Sequence, residues 1–125
     1  MCAYSIIPGN LETAKEMIMK AKQCGADCVK FQKSCLKEKF TKNALERPYH
    51  SENSFGSTYG EHKEFLEFSS EEYDQLKRFS IEKAEIPMTA SAMDPNSIDF
   101  LVELGCRKIH LSLTFKLLDR HFEKN

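Results

Sequence analysis

Between Gly25 and Gln32 the chain reads Gly25-Ala26-Asp27-Cys28-Val29-Lys30-Phe31-Gln32, and here the hydrophobic period changes from helical to alternating. A strand sends successive side chains to opposite faces, so Val29 and Phe31 share one face and Cys28, Lys30 and Gln32 the other. Upstream, Leu11, Ala14, Met17, Ile18, Ala21 and Cys24 recur at three- and four-residue steps, the stripe of an amphipathic helix. Asn10 is placed to cap that helix, Glu16 and Lys20 add an i,i+4 pair on its wet side, and Gly25 is suited to end it.

The same grammar repeats downstream. Residues 71–83 read as a helix carrying Tyr73, Leu76, Phe79 and Ile81 or Ala84, and residues 86–91 as a strand. Asp94 caps and Pro95 begins another helix with Ile98, Leu101, Val102 and Leu104, which Gly105 stops. Residues 108–113 alternate as a further strand. Helices alternating with strands predict βα units and a parallel α/β sheet. An open doubly wound sheet buries both faces under helices, and its strands should be apolar on both sides. Here Thr89 and Ser91 oppose Ile86, Met88 and Ala90, as Lys30 and Gln32 oppose Val29 and Phe31. One apolar and one polar face favours a closed barrel, whose inner face opens into a binding site at the strand ends. An antiparallel sheet with one wet face is the bland alternative, and the intervening helices count against it. Residues 33–70 break the rhythm with Pro48, Gly56, Gly60 and many aromatics, and are expected to form a partly ordered flap over the strand ends.

Composition narrows the function. The 125 residues carry 18 Lys and Arg against 19 Asp and Glu, a net of −1, without the positive surplus that nucleic acid or an anionic membrane attracts. No apolar run approaches the ~20 residues of a membrane span, and the start has no secretory pattern. Five irregularly spaced cysteines then read as reduced thiols of a cytoplasmic protein. Cys24, Cys28 and Cys35 lack a fourth metal ligand at recognisable spacing, and so do His50, His62, His110 and His121.

If the barrel holds, Lys30 and Gln32 project into its mouth. A lysine there holds a substrate phosphate or carboxylate, or gives up its proton and forms a Schiff base, unless it simply snorkels to solvent. Thr89 and Ser91 are hydroxyl donors that can share the same anion, although small polar residues also close strands for no functional reason.

Three separated blocks carry a resemblance. Gly25 to Ser34 is similar to the second-strand signature of the sialic acid synthases, and Thr89-Ala90-Ser91-Ala92-Met93-Asp94 to their third strand and turn. Ala44-Leu45-Glu46-Arg47-Pro48-Tyr49, Thr58-Tyr59-Gly60-Glu61-His62-Lys63 and Leu66-Glu67-Phe68-Ser69 resemble the animal branch of that family. The resemblance spans about residues 9–106 and implies the N-terminal portion of a (β/α)8 TIM barrel, with 33–70 as an active-site flap and 107–125 as a divergent tail. It implies a cytoplasmic transferase of sialic acid biosynthesis that joins phosphoenolpyruvate to N-acetylmannosamine or its 6-phosphate, and the animal-like flap favours the phosphate. In that reaction Lys30 meets the phosphoenolpyruvate anion, Gln32 the amino sugar and Ser91 the phosphate, while a divalent Mg or Mn ion activates the aldehyde. Small-molecule substrates and a homo-oligomeric full-length enzyme are the implied partners. The chain departs from the family where Met1 to Pro8 replaces a strand ending in a glutamate, and where His110 and Leu113 replace a lysine and a serine. The family's metal-binding histidines belong to later strands. The resulting expectation is a truncated chain without turnover, or else a non-catalytic piece that docks on full-length synthase subunits.

Overall fold

The computed structural model describes residues 2–4, 9–106 and 109–111. In chain order the elements are β1 (Cys2–Tyr4), α1 (Leu11–Gln23), β2 (Cys28–Lys33), α2 (Leu36–Lys39), α3 (Lys42–Glu46), α4 (Tyr59–Leu66), α5 (Ser70–Glu82), β3 (Met88–Ala92), α6 (Pro95–Glu103) and β4 (Ile109–Leu111). All neighbouring strands pair parallel, in the order β1-β2-β3-β4. A doubly wound sheet reverses its strand order at a switch point. This sheet advances one strand at a time, as the wall of a (β/α)8 barrel does.

The helix layer lies on one face. Ala14 and Ile18 of α1, Tyr73 and Leu76 of α5 and Leu101 of α6 form a core with Val29 and Phe31 of β2 and Met88, Ala90 and Ala92 of β3. Phe31 meets the rings of Phe68 and Tyr73 edge-on at 6.4 and 6.5 Å, a favoured aromatic geometry. The Tyr73 hydroxyl donates to the Gln32 carbonyl, fixing the end of β2 against α5. The predicted terminators act as expected: Asn10 accepts the Thr13 amide at 3.1 Å, and Gly25 takes φ +82°, which costs glycine little.

The predicted stripes are wider than the faces actually buried. Met17 is 38%, Ile81 55% and Val102 60% exposed, and Ala84 rather than Ile81 continues the core of α5. A helix resting on a sheet covers only the side chains pointing down, and residues at the margin of the stripe stay in water. β3 begins at Met88 instead of residue 86, because the Ile86 amide still donates to Ser80 O at 3.0 Å and Pro87 has no N–H to give a ladder. The Pro87 carbonyl nonetheless accepts from Val29 N at 2.9 Å, which leads the two strands into register. β1 is too short to show a period in the sequence. Of the fourth predicted strand, Ile109–Leu111 is observed, while Lys108, Ser112 and Leu113 lie outside the described residues, as does most of the 107–125 tail.

Asp94 joins two parts of the structure. It caps α6 by accepting Ser97 N at 2.8 Å, and it also accepts Cys35 N at 2.5 Å, at the start of the segment after β2. Asp94 is 3% exposed, so both amides lose a charged, desolvated acceptor if it is removed. Asp94→Ala should cost about 2–4 kcal/mol and Asp94→Asn clearly less. Equilibrium denaturation measures both, and a loss below about 1 kcal/mol for the alanine variant contradicts this role.

Candidate functional site

Strand register assembles the polar face. Lys30 pairs with Thr89 and Gln32 with Ser91 across β2 and β3, so the four lie together on the face opposite the helix layer. Along β2, Lys30 and Gln32 stand about 6–7 Å apart, two residues of strand rise. Lys30 and Ser91 are each 7% exposed, whereas Gln32, nearer the strand end, is open to solvent. Next to them, the backbone register sets Tyr4 beside Lys30 and His110 beside Ser91. An ammonium with neighbouring hydroxyls and a carboxamide is a donor-rich surface that complements an oxyanion.

Residues 33–70 are more ordered than the sequence suggests, with three short helices. α3 and α4 approach so closely that a Cβ on Gly60 would stand 2.9 Å from the Leu45 carbonyl oxygen. Thr58 and Glu61 form a capping box at the start of α4: the Thr58 side chain accepts Glu61 N, and the Glu61 carboxylate accepts Thr58 N, Ser57 N and the Ser57 hydroxyl. The side-chain bond from Ser57, followed by the two amides, holds the Glu61 carboxyl below its ordinary pKa of 4.5. His62 stacks on Phe55, packs at a tilt against Tyr49 and accepts Phe55 N at Nδ1, 3.2 Å away, so it belongs to the framework of the loop.

Between α2 and α4, at the end of β2, is a cleft of about 80 Å³. Gln32, Ser34, Lys39, Phe40, Lys63 and Glu67 line it. Glu67 stands 3.7 Å from Lys33 Nζ and accepts Ser34 N at 3.5 Å, while Lys33 also donates to Phe68 O at 3.0 Å. Burial raises the Glu67 pKa, with Asp94 adding to it, against the opposing pull of Lys33, the Ser34 amide and Lys39. Burial and then the Lys63 charge lower the Lys39 pKa, and Glu67 and Asp94 work the other way. Phe40 and Tyr59 pack edge-on at 5.4 Å, with Lys39 over the first ring and Lys63 and Arg47 over the second. Lys63 and Glu67 stand in the blocks that carried the resemblance, but nothing in sequence spacing brings them together with Lys39.

Among the described residues no group of three or more His, Cys, Asp or Glu side chains is arranged to hold a metal ion. These residues therefore do not by themselves fit the divalent cation that the resemblance implies. No helix among the described residues is long and apolar enough to cross a membrane.

The sheet order, the helix layer on one face and the polar opposite face define a sector of a (β/α)8 barrel. The NeuB family pattern matches residues 17–114, and the chain belongs to that family. It is 56% identical over 97 residues to human N-acetylneuraminate-9-phosphate synthase, covering 78% of this chain and 27% of the human protein. The corresponding Drosophila melanogaster synthase is 54% identical over 97 residues, 78% of this chain and 26% of that protein. The crystal structure of N-acetylneuraminic acid synthetase from Leptospira borgpetersenii, in complex with citrate, superposes with a TM-score of 0.57 at 27% identity, covering 86% of this chain and 33% of that one. The chain thus spans about a quarter of the length of the relatives it matches.

Because the Glu61 pKa is depressed, its contribution to the loop is present above the ordinary value and is lost as pH falls through the folded value. The Ser57 and Thr58 amide resonances should shift together on acidification, with a midpoint below 4.5. A midpoint at or above that value contradicts the capping arrangement.

Proposed function

We propose that this chain forms the substrate-binding sector of a sialic acid synthase barrel, in which phosphoenolpyruvate condenses with N-acetylmannosamine 6-phosphate. The observation that carries this reading is the row on the inner face, where Lys30 and Gln32 on β2 lie beside Thr89 and Ser91 on β3. C3 of phosphoenolpyruvate attacks the aldehyde carbon of the open-chain sugar, forming the new C–C bond and leaving positive character at C2, while the aldehyde C=O π pair moves to its oxygen, which takes up a proton and becomes a hydroxyl. Water adds at C2 and loses a proton, and the C2–O bond then breaks to release inorganic phosphate and leave the ketone.

In this sequence Lys30 neutralises the phosphoenolpyruvate anion, Ser91 donates to its phosphate, and Gln32 orients the sugar aldehyde toward C3. Lys30 is largely withdrawn from solvent on the inner face, where its ammonium can donate charge-assisted hydrogen bonds to an acidic ligand. The names of the animal relatives support the phosphorylated sugar over the free one. The citrate held by the Leptospira synthetase is a further small polyanion bound within the family. Divalent-metal ligands would come from barrel strands other than the four described. We place the reaction in the cytoplasm, where the free thiols stay reduced, and expect the complete barrel to work as a homo-oligomer.

A second reading rests on the sheet edges. β1 and β4 flank the described sheet, and an exposed strand edge is a template for pairing. A chain of these residues would then dock on intact synthase subunits without catalysis. Co-elution with an intact synthase on size exclusion favours this, and independent elution removes it.

Calorimetric titration with phosphoenolpyruvate tests the first reading. Lys30→Met keeps the aliphatic stem and should weaken binding by about tenfold or more, whereas Gln32→Ala should leave this ligand's affinity within about twofold. No turnover is expected from the 125 residues alone. Equal phosphoenolpyruvate affinity for the wild-type and Lys30→Met chains overturns the assignment.

A further inference from the structure

The cleft between α2 and α4 has its own charge pattern, separate from the inner row. Lys39 and Lys63 both line it, and neither is among the groups that bind Glu67 directly; that carboxylate rests on Lys33 and the Ser34 amide. Resting on the synthase reading above, we propose that this cleft is the recognition pocket for the phosphate on O6 of the amino sugar, with Lys39 and Lys63 as its two cationic walls.

Size, charge and position agree. About 80 Å³ is several times the ~10–15 Å³ that one water needs, which leaves room for a tetrahedral oxyanion. Two ammonium groups facing one space repel each other, and a phosphate dianion between them replaces that repulsion with charge-assisted hydrogen bonds. Burial first and the Lys63 charge second lower the Lys39 pKa, against the pull of Glu67 and Asp94, so the two lysines already sense each other across the cleft. The walls are held in place: Lys39 lies 5.3 Å from the Phe40 ring centroid and Lys63 5.4 Å from that of Tyr59, and these two rings pack edge-on.

Position matters most. Gln32 at the end of β2 lines the cleft, together with Phe31 and Phe68 of the helix-facing core, and also belongs to the inner row. The two regions meet at this residue, and in this proposal the sugar lies across it with its aldehyde toward the row and its phosphate in the cleft. Lys30 and Ser91 do not line the cleft, which leaves phosphoenolpyruvate and the sugar phosphate on different cations. A free sugar would gain nothing from Lys39 and Lys63, making them residues of specificity.

The test is titration of the chain with N-acetylmannosamine 6-phosphate, N-acetylmannosamine, inorganic phosphate and phosphoenolpyruvate, by calorimetry and by the side-chain NMR signals of the lysines. The wild-type chain should prefer the 6-phosphate over the free sugar by about tenfold or more, with Lys39 and Lys63 signals moving on addition of either the sugar phosphate or inorganic phosphate. Lys39→Gln/Lys63→Gln should abolish that preference while leaving phosphoenolpyruvate affinity unchanged, and Lys63→Gln alone should reduce it. Lys30→Met should do the reverse, which separates failure of the cleft assignment from failure of the synthase reading. A preference that survives the double change with an unaltered amide spectrum overturns the proposal. So does a wild-type chain that does not distinguish the two sugars, even if inorganic phosphate moves the lysine signals.

Discussion

The cost of withdrawing an ammonium group from water governs the arrangement around β2. Val29 and Phe31 are fixed into the helix-facing core, so the pleat has no choice but to send Lys30 to the other side. There it lies largely out of solvent, in a place where charge is tolerated only among polar or negative partners. The parallel register with β3 then brings Thr89 beside Lys30 and Ser91 beside Gln32. One alternation, propagated through hydrogen-bonded strands, thus builds the donor-rich surface from which the functional reading follows.

The segment after β2 is anchored to the end of β2 and the start of α6 by polar contacts at its two ends. Asp94 holds Cys35 N at the entrance, Glu38 binds the Asn96 side chain, and Lys33 bridges Glu67 and the Phe68 carbonyl at the exit. Between these anchors the chain packs largely on itself through rings: Phe40 on Tyr59, Tyr59 on Tyr49, and Phe55 on Phe65 and His62. A loop attached at its base and internally packed can keep a small cleft in shape without joining the main core.

Much of the fold was legible because period and punctuation agree. Asn10, Asp94 and Gly25 act at the boundaries their chemistry suggests, and the alternation in β2 and β3 sorted residues correctly between core and polar face. The burial of individual stripe residues was less legible, since Met17 and Val102 fit a helical period but lie at the margins of the contact. The helices at 36–46 have too few residues to show a period. α4 did carry a signal, the Thr58 to Glu61 capping box, but its weakly amphipathic sequence and Gly60 concealed a helix behind it. Lys39, Lys63 and Glu67 could not be joined from sequence because their meeting depends on how α2 and α4 pack, a contact between elements with no common pattern.

The most direct measurement is a crystal structure of the chain with phosphoenolpyruvate bound. Ligand oxygens should lie within about 2.7–3.2 Å of Lys30 Nζ and near Ser91 Oγ, on the face away from α1, α5 and α6. Phosphoenolpyruvate bound elsewhere, with no contact to the Lys30 amine, would contradict it.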